Sequence, residues 1–441
     1  MYSVGLYTLG CKVSQYETEA VGEAFSERGF LVCDFTEPCD VYVINTCTVT
    51  KESDRKSRQF IRRALKSNPR AVVIVIGCYS QRAPEEVAAI EGVSAVIGTE
   101  CKMSAPDIAE RMLSEISQGG VPEKYIRTTD VTKATFEPMT VKRAPRTRAY
   151  VKIEDGCESK CTYCAISGAR GRVRSKPREE VVSEVEALYA GGTREIVLTG
   201  IETGSYGRDF LEKYDLADLI LELDSRGSCE RLRLGSLAPE LINKSFVARV
   251  KNAKILCPHF HLSMQSGSNA VLNRMKRRYS REMAMAVIDD IRANIEEATF
   301  TTDLMVGFPS ETEENFLETV DFVRTARLLD AHVFAYSRRE GTPAAYYDGQ
   351  IPEHVKRDRS ERLIRVKNEV REELLEEIVG DGSHLLAIAE AKNSHGVWSA
   401  HTAGFVEVSF ECDAEISGEV VKLQPVIQKN GVVHCKLIEK I

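Results

Sequence analysis

Short apolar runs alternate along the first part of the chain with stretches whose apolar positions recur every three to four residues. Val4–Leu9, Val41–Thr46, Val72–Gly77 and Ala95–Gly98 are apolar almost throughout. A strand buried on both faces of a parallel sheet reads this way, because neither face meets water. The stretches between them, Tyr16–Arg28, Arg55–Ser67, Pro84–Ile90 and Ala105–Ser117, have helical spacing. The pattern predicts a doubly wound α/β domain over residues 1–118. Residues 119–147 lose the periodicity and carry Gly119-Gly120, Pro122, Pro138 and Pro145, as a linker with one or two short strands would.

The alternation restarts at Arg148. Strands are predicted at Tyr150–Ile153, Glu195–Leu198, Leu232–Gly235, Phe260–Met264, Thr302–Val306 and Val333–Tyr336, with helices such as Arg178–Ala190 and Arg281–Asn294 between them. Six such units over residues 148–350 fit an open, partial (β/α)6 barrel, whose chemistry belongs at the carboxyl ends of its strands. Residues 351–380 read as one connecting helix, Pro352–Ile378, with Gly380 past its end. Residues 381–441 hold the short strand-like runs Leu386–Ala389, Phe405–Phe410, Val420–Leu423 and Val432–Leu437. They predict a small β-barrel suited to an accessory role in nucleic-acid binding.

Composition narrows the class. With 43% hydrophobic and 28% charged residues, the 441-residue chain can bury several cores and stay soluble. No apolar run approaches the roughly 20 residues of a membrane helix, and the start lacks a basic n-region, so a cytoplasmic protein with no membrane partner is expected. The net charge of −7 disfavours nucleic acid, but its distribution does not. Lys51–Arg70 holds eight basic and two acidic residues, and Lys142–Arg178 eleven and three. Arg274, Lys276, Arg277, Arg278 and Arg281 form a third basic cluster. Three such clusters suit a phosphate backbone, although a single one would be an ordinary solvated face.

Thirteen cysteines in such a chain point to metal or redox chemistry rather than a disulfide scaffold. Cys157, Cys161 and Cys164 form a C-x3-C-x2-C triplet directly after the first predicted barrel strand. Three thiolates without a nearby fourth suit a [4Fe–4S] cluster with one iron open to a ligand. Zinc is the competing reading, but its structural sites usually take four ligands in paired C-x2-C units. Cys11, Cys47 and Cys78 follow three successive strands of the N-terminal domain. Strand carboxyl ends converge on ligand sites in open α/β sheets, so these three suggest a second cluster. Cysteine is also a common small buried hydrophobe, which is how Cys33, Cys39 and Cys101 read.

Thr8-Leu9-Gly10-Cys11-Lys12-Val13-Ser14-Gln15-Tyr16-Glu17, the run Val43–Thr50, Gly77-Cys78-Tyr79-Ser80-Gln81 and the cysteine triplet resemble the methylthiotransferases, a family of radical S-adenosylmethionine (SAM) enzymes. Ala169-Arg170-Gly171, Leu198-Thr199-Gly200, His259–Ser268 and Val306–Thr312 extend the resemblance over nearly the whole chain. It implies an N-terminal cluster domain, a radical-SAM barrel and a C-terminal TRAM domain. It assigns Cys157, Cys161 and Cys164 to a SAM-cleaving [4Fe–4S] cluster that yields a 5′-deoxyadenosyl radical. It assigns Cys11, Cys47 and Cys78 to an auxiliary [4Fe–4S] cluster carrying the sulfur to be inserted. The Gly10-Cys11-Lys12 start and the Pro258–Ser268 phrase resemble the subfamily that converts N6-threonylcarbamoyladenosine of the tRNA anticodon loop to its 2-methylthio form. Isopentenyladenosine and a ribosomal-protein aspartate are the alternative acceptors. A non-catalytic iron–sulfur protein that binds RNA or senses redox state is the alternative class. The family also implies tRNA, a low-potential electron donor and a sulfur source as partners. Polar positions at the strand ends give candidate SAM contacts at Gly200, Glu202, Ser236, Gln265 and Gly307. Arg170 and Arg338, after the first and sixth strands, are the candidates for the threonyl carboxylate. Ser14 departs from the family's asparagine, Ser167-Gly168 from its proline-containing phrase, and Glu202 from a neutral residue.

Overall fold

Six parallel strands build the N-terminal sheet in the order Leu31–Cys33, Ser3–Thr8, Val41–Thr46, Val72–Gly77, Val93–Ile97 and Tyr125–Arg127. The computed structural model describes residues 1–143 and 147–441, so Pro145 of the linker lies outside the described residues. The unbroken apolar runs are explained by helices on both faces. Val72, Ile74 and Ile76 pack with Val21 and Phe25 of the helix Lys12–Glu27 and with Ile108 and Met112 of Ala105–Ser117. Val73 and Val75 pack on the other face with Ile61 and Ala64 of Lys51–Ser67. Each fully buried valine or isoleucine contributes about 1.5–3 kcal/mol. The segment read as linker supplies the edge strand Tyr125–Arg127.

Two helices begin four residues earlier than periodicity predicts, at Lys12 and Lys51 instead of Tyr16 and Arg55. Their first turns are mostly polar, so apolar spacing does not reveal them. Thr50 caps the second, accepting from the Ser53 amide. Cys11 is the residue that precedes the first.

The central unit has the predicted six βα repeats. Arg148–Lys152, Glu195–Thr199 and Arg231–Leu234 are consecutive parallel strands, followed by Ser236–Leu237, His259–Gln265, Thr299–Val306 and Asp330–Ala335. The third strand is interrupted at Gly235, where a Cβ would stand 2.9 Å from the Leu198 carbonyl oxygen. The first and last strands are not paired with each other, so the barrel is open. Ile196, Leu198, Phe260, Leu262, Phe300 and Leu304 face the surrounding helices. Their alternates Glu195, His259, His261, Thr301 and Asp303 therefore face the lumen.

A closed five-stranded barrel follows, formed by Leu385–Lys392, Val397–Thr402, Glu407–Glu411, Val420–Lys429 and Val432–Lys440. Val397–Thr402 is not evident from the sequence, because Ser399, Ala400 and His401 dilute its alternation even though Trp398 and Ala400 are buried. Phe405, expected in a strand, adopts φ +65° and stacks on His259 with centroids 4.6 Å apart. The connecting helix runs from Glu353 to Asp381, and Gly382 in the left-handed region ends it. Gly380 lies inside the helix, which corrects its expected place past the end. The small barrel docks on the amino-terminal ends of the central strands. Arg233 donates to the Ala403 carbonyl at 2.9 Å, Arg231 to Leu386 at 3.3 Å, and Arg148 pairs with Glu390.

Candidate active site

The N-terminal triad stands at three neighbouring strand ends. Cys47 directly follows Val41–Thr46, Cys78 opens the short helix Cys78–Arg82, and Cys11 precedes Lys12–Glu27. Gly77 makes the close approach possible. Its φ is +98°, and a Cβ there would lie 2.3 Å from Asn45 Oδ1 and 2.7 Å from the Thr46 carbonyl oxygen. The three thiols act on one another: burial pushes Cys47 up to about 12, with Cys78 and Cys11 adding to the rise. Among the described residues no three ligands close on a single metal ion. The donor set around the sulfurs tests the fit to clusters instead.

Five of the six candidate cysteines have an N–H donor on the sulfur. The Cys157 sulfur accepts from the Ser159 amide at 3.4 Å, Cys164 from Ile166 at 3.3 Å, and Cys47 from Val49 at 3.5 Å. Cys161 accepts from Arg277 Nη1 and Cys78 from Arg170 Nε, both at 3.3 Å. Cys11 lies 3.8 Å from the Ser14 hydroxyl. Cys33, Cys39 and Cys435 donate to backbone carbonyls, as neutral thiols do, and Cys161 adds a longer contact of that kind to Ser159 at 3.9 Å. A sulfur that accepts from an N–H is favoured as a thiolate, the form that binds iron. Without iron, burial holds Cys157 up at about 11 and also raises Cys78 and Cys164. A cluster bound there would supply the positive charge that keeps such sulfurs ionised. The residues present fit two iron–sulfur clusters.

Arg170 joins the two halves of the site. Its Nη1 donates to Glu17 Oε1 at 2.5 Å and to Asp155 Oδ2 at 3.0 Å, and its Nη2 to Glu17 Oε2 at 3.1 Å. Glu17 and Cys78 belong to the N-terminal domain, while Arg170 and Asp155 flank the cysteine triplet. Burial alone would raise Glu17, but Arg170, Lys102 and Lys152 hold it well below the usual carboxylate range. The arginine is fully buried, so its expected role with substrate is corrected: its donors are spent on this network. Arg174 and Lys176 are buried as well, so much of the basic run after the triplet is internal. Arg339 forms a second bridge, to Asp54 at 2.7 Å and the Thr48 hydroxyl at 2.6 Å. The N-terminal domain thus sits over the carboxyl rim of the barrel.

The candidate SAM contacts lie around that rim. Gly200 packs on Glu154, whose Oε2 a Cβ would meet at 2.6 Å. The Glu154 Oε2 accepts from the Glu202 amide at 2.8 Å, while Oε1 is buried without a partner. Burial drives Glu202 up to about 7 although it accepts from the Ala238 amide. Its carboxyl bears on Cys157, so this departure from the family pattern stands at the triplet. Ser236 pairs with His261, and Gln265 ends its strand at φ +68°. Gly307, also left-handed, packs on Lys356 of the long helix. Arg338 is exposed beyond the last strand. Sequence reasoning placed Arg277 in a basic cluster but missed its bond to Cys161. The helix Lys51–Ser67 does present its basic side chains: Lys51, Arg55, Lys56, Arg62, Arg63 and Lys66 are exposed.

An open run of six βα units with three thiols on its rim defines a radical-SAM protein, and the radical SAM superfamily model matches residues 151–323. The model described as "Uncharacterized protein family UPF0004" matches residues 3–98. The fold resembles that of the radical S-adenosylmethionine methyltransferase TsrM from Kitasatospora setae, with TM-score 0.54, 16% identity, and 78% of this chain and 77% of that one covered. The threonylcarbamoyladenosine tRNA methylthiotransferase MtaB of Bacillus subtilis is 38% identical over 96% of this chain and 94% of its own. The MtaB of Thermotoga maritima is 34% identical over 99% and 97%. A tRNA-2-methylthio-N(6)-dimethylallyladenosine synthase from Acetivibrio thermocellus is 31% identical over 95% and 87%. The chain belongs to the radical-SAM tRNA methylthiotransferase family and is an enzyme, a transferase. No helix among the described residues is long and apolar enough to cross a membrane.

Proposed function

We propose that this enzyme converts N6-threonylcarbamoyladenosine in a tRNA anticodon loop to its 2-methylthio derivative. The carrying observation is the pair of cysteine triads, each with N–H donors on its sulfurs, joined by Arg170. Higher identity to the threonylcarbamoyladenosine enzymes, 34–38% against 31–33% for the dimethylallyl enzymes, supports the acceptor. A sensor needs one cluster and no such bridge, which disfavours the non-catalytic reading.

Cys157, Cys161 and Cys164 would hold the cluster that binds SAM, and Cys11, Cys47 and Cys78 the auxiliary one. Together with SAM these groups supply radical and sulfur-transfer chemistry, which an adenine C–H needs because it offers no acidic proton to a base. The chain's own part is placement. Arg277 and the Ser159 and Ile166 amides favour thiolates in the first triad. Arg170 fixes Cys78 relative to Asp155 and so sets the distance between the triads. Glu202, Ser236 and Gln265 line the rim where SAM would lie. The target base must leave its stack to reach this enclosed rim, which a loop permits cheaply. The exposed basic helix Lys51–Ser67 would hold the tRNA backbone. A low-potential electron donor and a sulfur source complete the partners, and action on tRNA implies the cytoplasm. Mass spectrometry of tRNA nucleosides from cells with and without the gene tests the proposal. The expected result is loss of the 2-methylthio threonylcarbamoyl nucleoside alone. Loss of only the isopentenyl derivative would refute the acceptor.

A further inference from the structure

Lys12 directly follows Cys11 and opens the helix Lys12–Glu27. Five residues on, Glu17 meets Lys152 Nζ at 2.8 Å, at the carboxyl end of the first barrel strand. The start of the helix therefore lies at the mouth of the lumen. Lys12 is accessible to solvent. Yet the charges that act on it are those of Arg233, Arg148, Asp303 and Glu195, and it acts in turn on His259. Those five residues occupy inward positions on five of the six barrel strands. An accessible side chain that these charges reach borders the lumen at its mouth.

The carboxylates there already have partners. Glu195 accepts from Arg233 at 2.8 and 3.0 Å and forms an ion pair with Arg148 at 2.8 Å. Asp303 stands between His261 and His332, each at 3.3 Å. Lys12 makes no hydrogen bond or ion pair with a described residue. An ammonium at this mouth with no carboxylate of the chain paired to it is open to an anion from outside.

We propose that Lys12 receives the threonyl carboxylate of the substrate at the mouth of the lumen, and so selects this base over one with an apolar N6 group. The inference rests on the acceptor proposed above. Its geometry follows from adenine. C2, which must face the auxiliary sulfur, and C6, which bears the N6 substituent, flank N1 on one edge of the ring. A residue adjacent to Cys11 is therefore placed for that substituent. Arg170 is spent in its network, and Arg338 follows the last strand, farther along the chain from either cysteine triad. SAM also carries a carboxylate, so the test separates the two sources.

Wild type, K12M, K12Q and K12R, each reconstituted at full length, are given two tRNAs. One bears threonylcarbamoyladenosine, and the other bears the same base with its threonyl carboxylate converted to an amide. Rates are expressed per intact auxiliary cluster, counted by EPR, so partial loading does not mimic the effect. Wild type should prefer the acid by about ten- to hundredfold in kcat/KM, the range of a hydrogen bond to a charged group. K12M and K12Q should lose that preference, chiefly through KM for the acid tRNA, and K12R should restore most of it. The SAM concentration that half-saturates 5′-deoxyadenosine formation should not move. Retained preference for the acid in both K12M and K12Q overturns the proposal. A raised SAM requirement with that preference intact assigns Lys12 to the SAM carboxylate and overturns it too. A wild type that methylthiolates neither tRNA, but accepts isopentenyladenosine, overturns the substrate reading on which the proposal stands.

Discussion

Replacing Arg170 with methionine should destabilise the enzyme through the domain interface. The variant loses three N–H···O bonds, two to Glu17 and one to Asp155, and the N–H···S bond to Cys78. Bonds to charged groups are worth about 1.5–3 kcal/mol each, so the three bonds to oxygen set an upper range of about 4.5–9 kcal/mol. The net loss is smaller because other cations remain. Lys152 lies 2.8 Å from Glu17 and 2.6 Å from Asp155, and Lys102 lies 3.4 Å from Glu17. Removing one member of a buried ion network costs about 3–5 kcal/mol, which is the expected effect. Lysine keeps the charge but not the fork, so Arg170→Lys should recover only part. Guanidinium unfolding of the iron-free proteins at pH 7 measures the difference in the transition that unfolds the interface. The loss should shrink with acid. Glu17 and Asp155 both titrate below their ordinary values, so their stabilisation is present above the unfolded values and fades as pH falls through the folded ones. A methionine variant within about 1 kcal/mol of wild type at pH 7, below the loss of one such bond, would refute the network's role.

Alanine at Cys157, Cys161 or Cys164 should abolish 5′-deoxyadenosine formation, whereas the Cys11/Cys47/Cys78 triple variant should keep about half the iron and still cleave SAM without methylthio product. Iron analysis and product chromatography check both, and complete iron loss in the triple variant would count against a second cluster. Asp303→Asn should lower stability most in a pH window set by two shifts. Asp303 is held below its ordinary 3.8 and His332 above its ordinary 6.5. The aspartate's contribution appears above 3.8, and the histidine's is full below 6.5 and lost as pH rises through its raised folded value. Denaturant midpoints from about pH 3 to 9 should therefore diverge between wild type and variant chiefly from about 4 to 7, and a uniform offset would contradict the pairing. The triple variant Arg62→Ala, Arg63→Ala, Lys66→Ala should weaken tRNA binding and reduce the slope of log affinity against log salt by about one for each phosphate it no longer neutralises. An unchanged slope would remove the helix from the tRNA interface.

The layered architecture was legible because strands buried on both faces read as near-continuous apolar runs, as Val72–Gly77 shows directly. The placement of both cysteine triads at strand ends was legible because the strands before them read clearly as apolar runs. The base of the barrel was not. Arg148, Arg231 and Arg233 alternate with apolar residues like any half-exposed strand, and only the docked β-barrel makes them interior. The role of Arg170 was hidden for a related reason. Its partners Glu17 and Cys78 come from 153 and 92 residues away, and no local pattern reports such a meeting. Val397–Thr402 escaped because small residues face the inside of a narrow barrel beside Trp398.

The most direct test of the central claim uses the reconstituted enzyme with SAM, reductant and a sulfide source under anaerobic conditions. It is offered two otherwise identical tRNAs, one bearing threonylcarbamoyladenosine and one isopentenyladenosine, and the nucleosides are read by mass spectrometry. The account predicts a 2-methylthio product on the threonylcarbamoyl tRNA and little on the other. Product on the isopentenyl tRNA alone, or 5′-deoxyadenosine with no methylthio product on either, would contradict it.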